Sequence, residues 1–566
     1  MSSSDATYES WGANAHEFRN GTVCIGIDLG TTNSCVGYWK LHANHVKIVN
    51  HSAGDTKAKT LPSVVSFPPT GAPAVGFAAV AAEASDADVV TVRSAKRLLG
   101  QSLADASPDQ KYLSYTLCDG ESGHVSIALP ARKTSVTPSE VAALLLSKLK
   151  AAAEAKLNER IANCVLTVPA YFTEPQRQAT LEAAAMAGFS AVRLLNEPTA
   201  AAMAYGLFVA GTKRVVVFDF GGGTLDVSVL HIADGTFTVE GVGGDTHLGG
   251  EDINNILFDH VLQAIAKKHG PVSLPLATHD MVQLQRAVEA AKVALSTDDE
   301  TVLRLTNVGH VALHEMTLTR RKLDALCDPL YKKCLRITRE VLKSIDVDPS
   351  DVDEVVLVGG STRIPAIRAR LRAFFNDKEL CTSVNADEVV AEGAAIQAAI
   401  LSGVDKKVFQ DVLMLDVIPM SIGIEKADGA MEVLIQKNSR IPVSVTKYFD
   451  TAIDDQAGFT IEVFEGESPV ARENTYLTYF DFVLPRKVRG KAGAIQHPVT
   501  LSMNANGLLQ VKAGILHDDA IDAEDASEAQ RSMLVLCVYM GCLIAVYVFV
   551  RLYFADQRLY ASVDEL

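Results

Sequence analysis

Residues Ile25 to Gly37 read IGIDLGTTNSCVG: an apolar β-type run that stops on Asp28 and turns through Gly30, Thr31 and Thr32 into a second apolar run. A related stretch, VFDFGGGTLDVS (Val217 to Ser228), ends its run on Asp219 and turns through Gly221, Gly222 and Gly223 to Thr224. A third, LVGGSTRIP (Leu357 to Pro365), sets Gly359 and Gly360 before Ser361 and Arg363. The first two share the order strand, Asp, apolar residue, Gly, Thr, which is an internal repeat. Glycines let backbone N–H groups reach phosphate oxygens with no Cβ in the way, and the threonine hydroxyls add donors. Asp28 and Asp219 each close a strand, where a carboxylate can hold Mg²⁺ through the waters that this ion gives up reluctantly. Two such hairpins facing each other would clamp a polyphosphate from both sides. One DxG turn is usually just a turn; three in a spaced set are a far more specific signal.

Outward from these turns, β-type runs alternate with helical patterns from Val23 to Ala399, the rhythm of α/β layers. Thr137-Pro138-Ser139-Glu140 predicts a helix start, with a Thr cap, Pro in the first turn and Glu three residues on. A helical run from Met281 to Leu295 brings Glu289, Lys292 and Ser296 onto one face. Such a trio can bond ribose hydroxyls and a purine edge, although a solvated charged face explains most triplets of this kind. Past Val404 the pattern changes. An apolar Val412-Leu413-Met414-Leu415 stands between Asp411 and Asp416, and period-two runs follow at 460–463, 499–503 and 509–511. Asn504-Ala505-Asn506-Gly507 between two of them predicts a hairpin turn.

At 566 residues the chain exceeds one core, and two to four domains are expected. With 48% hydrophobic and 21% charged residues it is not broadly disordered, and a net charge of −16 without a basic stripe argues against a nucleic-acid surface. Nine cysteines with no CxxC pair point to a reducing compartment. The first twenty residues carry no apolar core of a signal peptide, which places the front of the chain in the cytosol. His517 to Glu528 is an acidic spacer, and Met533 to Val550 runs 18 residues without a charge, flanked by Arg531 and Arg551. That length, extended by Leu552, Tyr553 and Phe554, suits a transmembrane helix; a buried core helix is the alternative, but no comparable apolar segment follows to pack it.

Taken together, these segments resemble the seventy-kilodalton heat-shock protein chaperones, the DnaK type included, from about Thr22 to Ala513. The likeness also rests on VLTVPAYF, QRQAT, LLNEPTAAAMAYG, GDTHLGGEDIN and GAAIQAAILSG. The resemblance implies an α/β fold: an actin-like, two-lobed ATPase, an apolar linker, and an antiparallel β-sandwich that grips extended peptides. It implies ATP or ADP with Mg²⁺ as ligands, and admits K⁺. It further implies that Lys96, within SAKRLLG, positions the attacking water, that Asp28, Asp219 and Glu197 organise Mg²⁺ and that water, and that Thr224 sits near the γ-phosphate. Gly30 to Thr32, Gly221 to Gly223 and Gly359-Gly360 would line the phosphates, and Glu289, Lys292, Ser296, Ser361, Arg363 and Asp387 the nucleoside. Pro169, Arg177, Arg193 and Asp416 match coupling positions, and Val412 to Leu415 the docking linker; otherwise these four residues are simply the first strand of the β domain. Ala427, Phe449, Ala452 and Phe459 fall in the peptide cleft. Implied partners are unfolded or extended polypeptides, J-domain cochaperones and nucleotide exchange factors.

Three departures accompany the likeness. No helical lid follows the sandwich, so bound peptide should exchange quickly. Phe459 stands where the family has Val on the floor of the central pocket, and its ring should partly fill that pocket unless it turns aside. The apolar run makes the chain a tail-anchored variant with a cytosolic ATPase, at the endoplasmic reticulum in preference to the mitochondrial outer membrane. The terminal Val563-Asp564-Glu565-Leu566 is reminiscent of a retrieval signal, and an accidental ending explains it equally well. The expected layout is an extension at 1–21, the ATPase at 22–403, the linker at 404–416, and the β-sandwich at 417–514. An acidic spacer at 515–532, the span at 533–554 and a tail at 555–566 complete it. The expected function is an ATP-dependent chaperone at a membrane surface. A membrane-tethered nucleotide switch or exchange factor is the competing reading, and a sugar kinase on the same core is disfavoured by the linker and β domain.

Overall fold

The computed structural model describes residue 18 and residues 23–53, 56–83, 89–120, 123–206, 211–233, 235–270, 275–308, 311–404, 409, 412–484, 489–493 and 496–513. The acidic spacer, the span at 533–554, the tail and all of the N-terminal extension except Phe18 lie outside them, as does Asp411. Among the described residues no helix is long and apolar enough to cross a membrane. The chain divides into two units: 1–445 with 461–480 and 500–511, and 446–460 with 481–499 and 512–566.

The first unit is built on two sheets of like topology. In one, Cys24–Asp28 and Asn33–Lys40 form an antiparallel hairpin, and Asn163–Val168 and Ala191–Asn196 add in parallel beside Cys24–Asp28. In the other, Lys213–Phe220 and Leu225–Ala233 form the hairpin, with Glu354–Val358 parallel to the first strand and Thr236–Asp245 antiparallel to the second. The repeat in the sequence is therefore a repeat in topology: each DxG turn joins the two strands of a central hairpin. The inner strands are buried along nearly their whole length, as strands covered on both faces must be.

Helices cover these sheets. Pro138–Leu157 begins at the expected cap, with Thr137 Oγ1 accepting from Glu140 N at 3.1 Å and Thr137 N donating to Glu140 Oε2 at 2.8 Å. Each sheet has its own apolar core, one centred on Ile25, Ile27 and Leu166, the other on Phe218, Leu257 and Tyr331. A third cluster joins Val215, Val356, Ala200 and Ala394, and buries Phe18 with Trp39.

Within the first unit the chain then enters a strand, Leu413–Val417, that pairs in parallel with Thr236–Asp245 (Thr236↔Leu413, Phe237↔Met414, Thr238↔Leu415). Its far end pairs antiparallel with Arg440–Ile441. Leu413 to Leu415 are thus strand, and the sheet they join is that of the second DxG hairpin. Ile422–Glu425 lies between Met431–Ile435 and Gly458–Glu465, pairing with the latter through Val463, Phe464 and Glu465. The Asn504–Gly507 turn forms as expected, with Gly507 N donating to Asn504 O at 3.0 Å and Gly507 at φ +72°.

The first two segments of the second unit are joined by backbone bonds, among them Asp455 N to Gly490 O at 2.7 Å and Leu484 N to Ala457 O at 2.8 Å. The seven described cysteines are all free thiols.

Candidate functional site

Both DxG turns open on one cleft of about 630 Å³ in the first unit. The cleft is lined by Asp28, Gly30, Thr31 and Thr32 from the first turn, by Asp219 and Gly221 to Thr224 from the second, and by Gly359, Gly360 and Ser361 from the third segment. Gly359 takes φ +80°, a conformation that a side chain would strain. At Gly222 and Gly223 a Cβ would collide with the hydroxyls of Thr32 and Thr31, so the two turns approach each other as closely as bare backbone allows. Ser361 Oγ donates to Gly221 O at 2.8 Å and ties the third segment to the second turn.

Lys96 and Glu197 meet in the same cleft as a buried ion pair, each side chain less than a tenth exposed. Lys96 lies on a short helical turn, Ala95–Leu98, and Glu197 opens the helix Glu197–Gly206 directly after the strand Ala191–Asn196. Three further acids crowd this one ammonium. Burial, and then the charge of Glu197, push Asp28 and Asp226 up to about 7 and hold Asp219 well above the carboxylate range. Burial works to lower the Lys96 ammonium, but Glu197 and Asp28 outweigh it and its pKa rises. Asp28 accepts a hydrogen bond from Thr167 Oγ1 at 3.2 Å, and Asp226 Oδ1 accepts one from Tyr171 N at 3.0 Å. Four carboxyls around one ammonium leave negative charge that a divalent cation would neutralise, so the donor set fits Mg²⁺. Among the described residues no three His, Cys, Asp or Glu side chains are arranged to grip a metal ion directly.

At the open end, Glu289 and Lys292 pair at 2.8 Å and line the cleft with Ser296, Arg363 and Asp387. Lys292 is 12% exposed and donates to Gly250 O at 3.1 Å, so the trio faces the cavity and is not a solvated stripe. Arg363 grips Asp387 through two bonds of 3.0 and 2.9 Å, forming a planar half-exposed fork beside Ile364. A Gly-lined, acid-rich inner end and a mixed outer end give the cleft the chemistry that suits a polyphosphate carrying a nucleoside. A model of the Hsp70 protein family matches residues 24–532 of the chain.

The chain belongs to the Hsp70 family. It is 40% identical over 507 residues to a heat shock cognate HSP70 protein of Trypanosoma brucei brucei, covering 86% of this chain and 72% of the relative. It is also 40% identical over 496 residues to a heat shock 70 kDa protein of Neurospora crassa, covering 86% and 75%. Hsp70 proteins are ATPases that bind ATP or ADP with Mg²⁺ and act as chaperones on unfolded polypeptides with cochaperones.

In this Hsp70 the expected coupling residues converge behind the cleft. Arg177 is buried and donates to Asn196 Oδ1 (2.9 Å), Ala170 O (3.1 Å), Phe172 O (3.2 Å) and Asn506 O (3.4 Å). Asp416, at the end of the linker strand, accepts from Asn196 Nδ2 at 3.0 Å, Thr199 Oγ1 at 3.1 Å and Val417 N at 2.8 Å. Burial raises Asp416 and lowers Arg177 and Arg193, while the opposite charges between these groups pull each back toward its charged form. Pro169 starts the turn into this network, its carbonyl accepting from Phe172 N at 3.2 Å.

Sequence reasoning missed several members of this Hsp70 site. Asn196 and Thr199 flank Glu197 and reach Asp416, 220 and 217 residues away in sequence. Asn506 was legible only as a turn residue, yet its Oδ1 accepts from Leu194 N at 3.1 Å. Arg97, beside Lys96, donates to Gly223 O at 2.8 and 3.1 Å and pairs with Asp252, fixing the second turn to the helix Gly250–His269. Of the cleft residues expected for peptide, Phe449, Ala452 and Phe459 fall in the second unit, and Ala427 sits in an exposed turn of the first. The Phe459 ring packs at 5.2 Å on Phe482 and 5.7 Å on His497.

Proposed function

We propose that this Hsp70 binds and hydrolyses ATP in the cleft between its two DxG turns and couples turnover to the binding of extended polypeptide. The observation that carries the reading is the convergence of both turns and the buried Lys96–Glu197 pair on one cleft. Backbone N–H groups of Gly30 to Thr32 and Gly221 to Gly223 bind the phosphates, with Gly359 and Gly360 closing the wall. Asp28 and Asp219 would hold Mg²⁺ through its waters, and the ion would supply charge neutralisation at the phosphates. Lys96, held by Glu197, orients a water for in-line attack on the terminal phosphorus. The water oxygen bonds to phosphorus, the bond to the bridging oxygen breaks, and the water proton leaves to the released phosphate or to solvent. Thr224 donates to the terminal phosphate, while Glu289, Lys292, Ser296, Ser361, Arg363 and Asp387 seat the nucleoside.

Coupling runs through the linker strand. Asp416 bonds to Asn196 and Thr199, which flank catalytic Glu197, so a change in the cleft is felt where the linker pairs. J-domain cochaperones and nucleotide exchange factors are the partners this cycle calls for. The sequence after Ala513 turns acidic and then apolar, and we read 533–554 as an anchor that holds the ATPase on the cytosolic side of a membrane, the endoplasmic reticulum in preference to the mitochondrial outer membrane. Protease protection of a C-terminal tag in sealed microsomes tests that orientation; a tag cleaved from outside rejects it. One observation favours the second reading, a nucleotide switch with little peptide binding: Phe459 already has aromatic partners within its own unit.

ATP turnover with and without a J-domain and an unfolded client separates the two. Stimulation by both supports the chaperone; stimulation by neither supports the switch.

A further inference from the structure

Four described cations line the cleft, and they differ in what holds them. Lys96 pairs with Glu197, Lys292 with Glu289 and Arg363 with Asp387. Arg368, at the outer end beside Ile364, has no carboxylate partner among the described residues. It stands half-buried on the helix Pro365–Phe374. Its Nε donates to Thr362 O at 2.7 Å, one residue before Arg363, so it is held at the cavity wall and is not a loose surface charge. That bond leaves the Nη1 and Nη2 N–H groups with no partner among the described residues. They are donors only, set in a rigid planar fork.

Around this fork the outer end offers what a flat heterocycle needs. Val293, on the helix Thr278–Ala294, lines the cleft and is 58% exposed, an apolar surface that a ring would cover. Ile364 and the Arg363–Asp387 fork line it from the third Gly segment. Ser296 and Thr297 line it as well, their hydroxyls donating to Lys292 O at 3.4 Å and to Ala294 O at 3.1 Å, so their oxygens are left to accept. An adenine edge presents one acceptor and one donor, N7 and N6; a guanine edge presents two acceptors, N7 and O6. The hydroxyls suit a donor such as adenine N6, whereas the guanidinium suits acceptors alone.

We propose, on the reading of the cleft as a nucleotide site, that Arg368 reads the base and that this cleft takes guanine and hypoxanthine nucleotides alongside adenine ones, the Nη fork donating to O6 and N7. A planar fork set over two acceptors is the pairing by which arginine singles out guanine, and it is stronger than a contact to one acceptor. Adenine keeps its place through the hydroxyls of Ser296 and Thr297 and through the apolar and planar walls, none of which depends on Arg368. Which base is held is independent of whether the phosphates are then cleaved.

The test is calorimetric titration of ADP, GDP and IDP, each with Mg²⁺, into the full chain purified in detergent; diphosphates keep turnover out of the measurement. GDP and IDP should bind the wild type within about tenfold of ADP. Arg368→Gln should weaken GDP and IDP by about tenfold or more and ADP by less than about threefold, and Arg368→Lys, which keeps the charge and loses the fork, should fall between. Retained ADP binding shows that the variants are folded. GDP bound more than about a hundredfold more weakly than ADP by the wild type, or GDP and ADP changed by the same factor in both variants, overturns the proposal and leaves the nucleotide reading standing. IDP that does not follow GDP also overturns it, since the exocyclic amino group of guanine and not O6 would then be read. Failure of ADP to bind the wild type overturns the nucleotide reading and the proposal together.

Discussion

Lys96 is an ammonium set among four buried carboxyls, paired with Glu197 and 5.8 Å from the centre of the Phe172 ring. Lys96→Ala should leave nucleotide binding within a fewfold of wild type and lower steady-state turnover by about 10²–10³-fold, the cost of losing one preorganised group at the reacting phosphate. Equal turnover in the purified variant would refute the assignment. The acids around it carry a pH signature. Asp28 has an ordinary value of 3.8 and is pushed to about 7 by burial and by Glu197. A carboxyl raised in the fold binds more protons there than in the unfolded chain. The stability it lends is complete below about 3.8 and is lost as pH rises through about 7. Asp28→Asn should therefore raise the melting temperature of the nucleotide-free chain at pH 8 by a few degrees, about 2–4 °C per kcal/mol, and change it little at pH 4. An unchanged difference across that range counts against the crowded-acid account. The residues to which this chemistry is assigned were legible because each sits in a contiguous stretch with its own local logic: a glycine turn, a strand-ending Asp. Arg97, Asn196, Thr199 and Asn506 were not, because their roles come from partners 126 to 329 residues away that no local pattern encodes.

Among the elements, the linker strand Leu413–Val417 shows how a short apolar segment serves two ends at once. Its apolar run admitted a strand but did not name the partner, and pairing with Thr236–Asp245 is decided by an open sheet edge that the sequence does not display. Asp416→Ala removes the acceptor for Asn196, Thr199 and Val417 N and leaves those donors unpaired. Amide exchange at Leu413, Met414 and Leu415 should accelerate by about 10–100-fold, the equivalent of one to two lost buried bonds. Protection equal to wild type would show that strand pairing alone holds the linker. By contrast, the capped start of Pro138–Leu157 was fully readable, since Thr137 and Glu140 satisfy each other within one turn. The substitution at Phe459 was readable as bulk but not as orientation; the ring's stacking on Phe482 and His497 emerges only from strands remote in sequence. Phe459→Val should strengthen binding of short apolar peptides by about tenfold or more if the ring occupies the pocket, consistent with the one to three kcal/mol that overpacking costs. Equal affinities of the two proteins would mean that the ring turns aside.

For the molecule as a whole, a repeated hairpin explains why a nucleotide site exists at all. Each half presents its Gly-Thr turn at the end of its own sheet, and the two turns meet where Gly222 and Gly223 face Thr32 and Thr31. Each sheet packs on its own core, and a third cluster with members from both, Val165 and Val215 among them, joins the two bases of the cleft. The measurement that bears most directly on this account is calorimetric titration of ATP into the purified chain, with and without Mg²⁺. Tight saturable binding of one nucleotide per chain that depends on magnesium is the expected result; heat absent in the presence of magnesium, or unchanged when it is removed, would contradict a cleft whose buried acids await a cation.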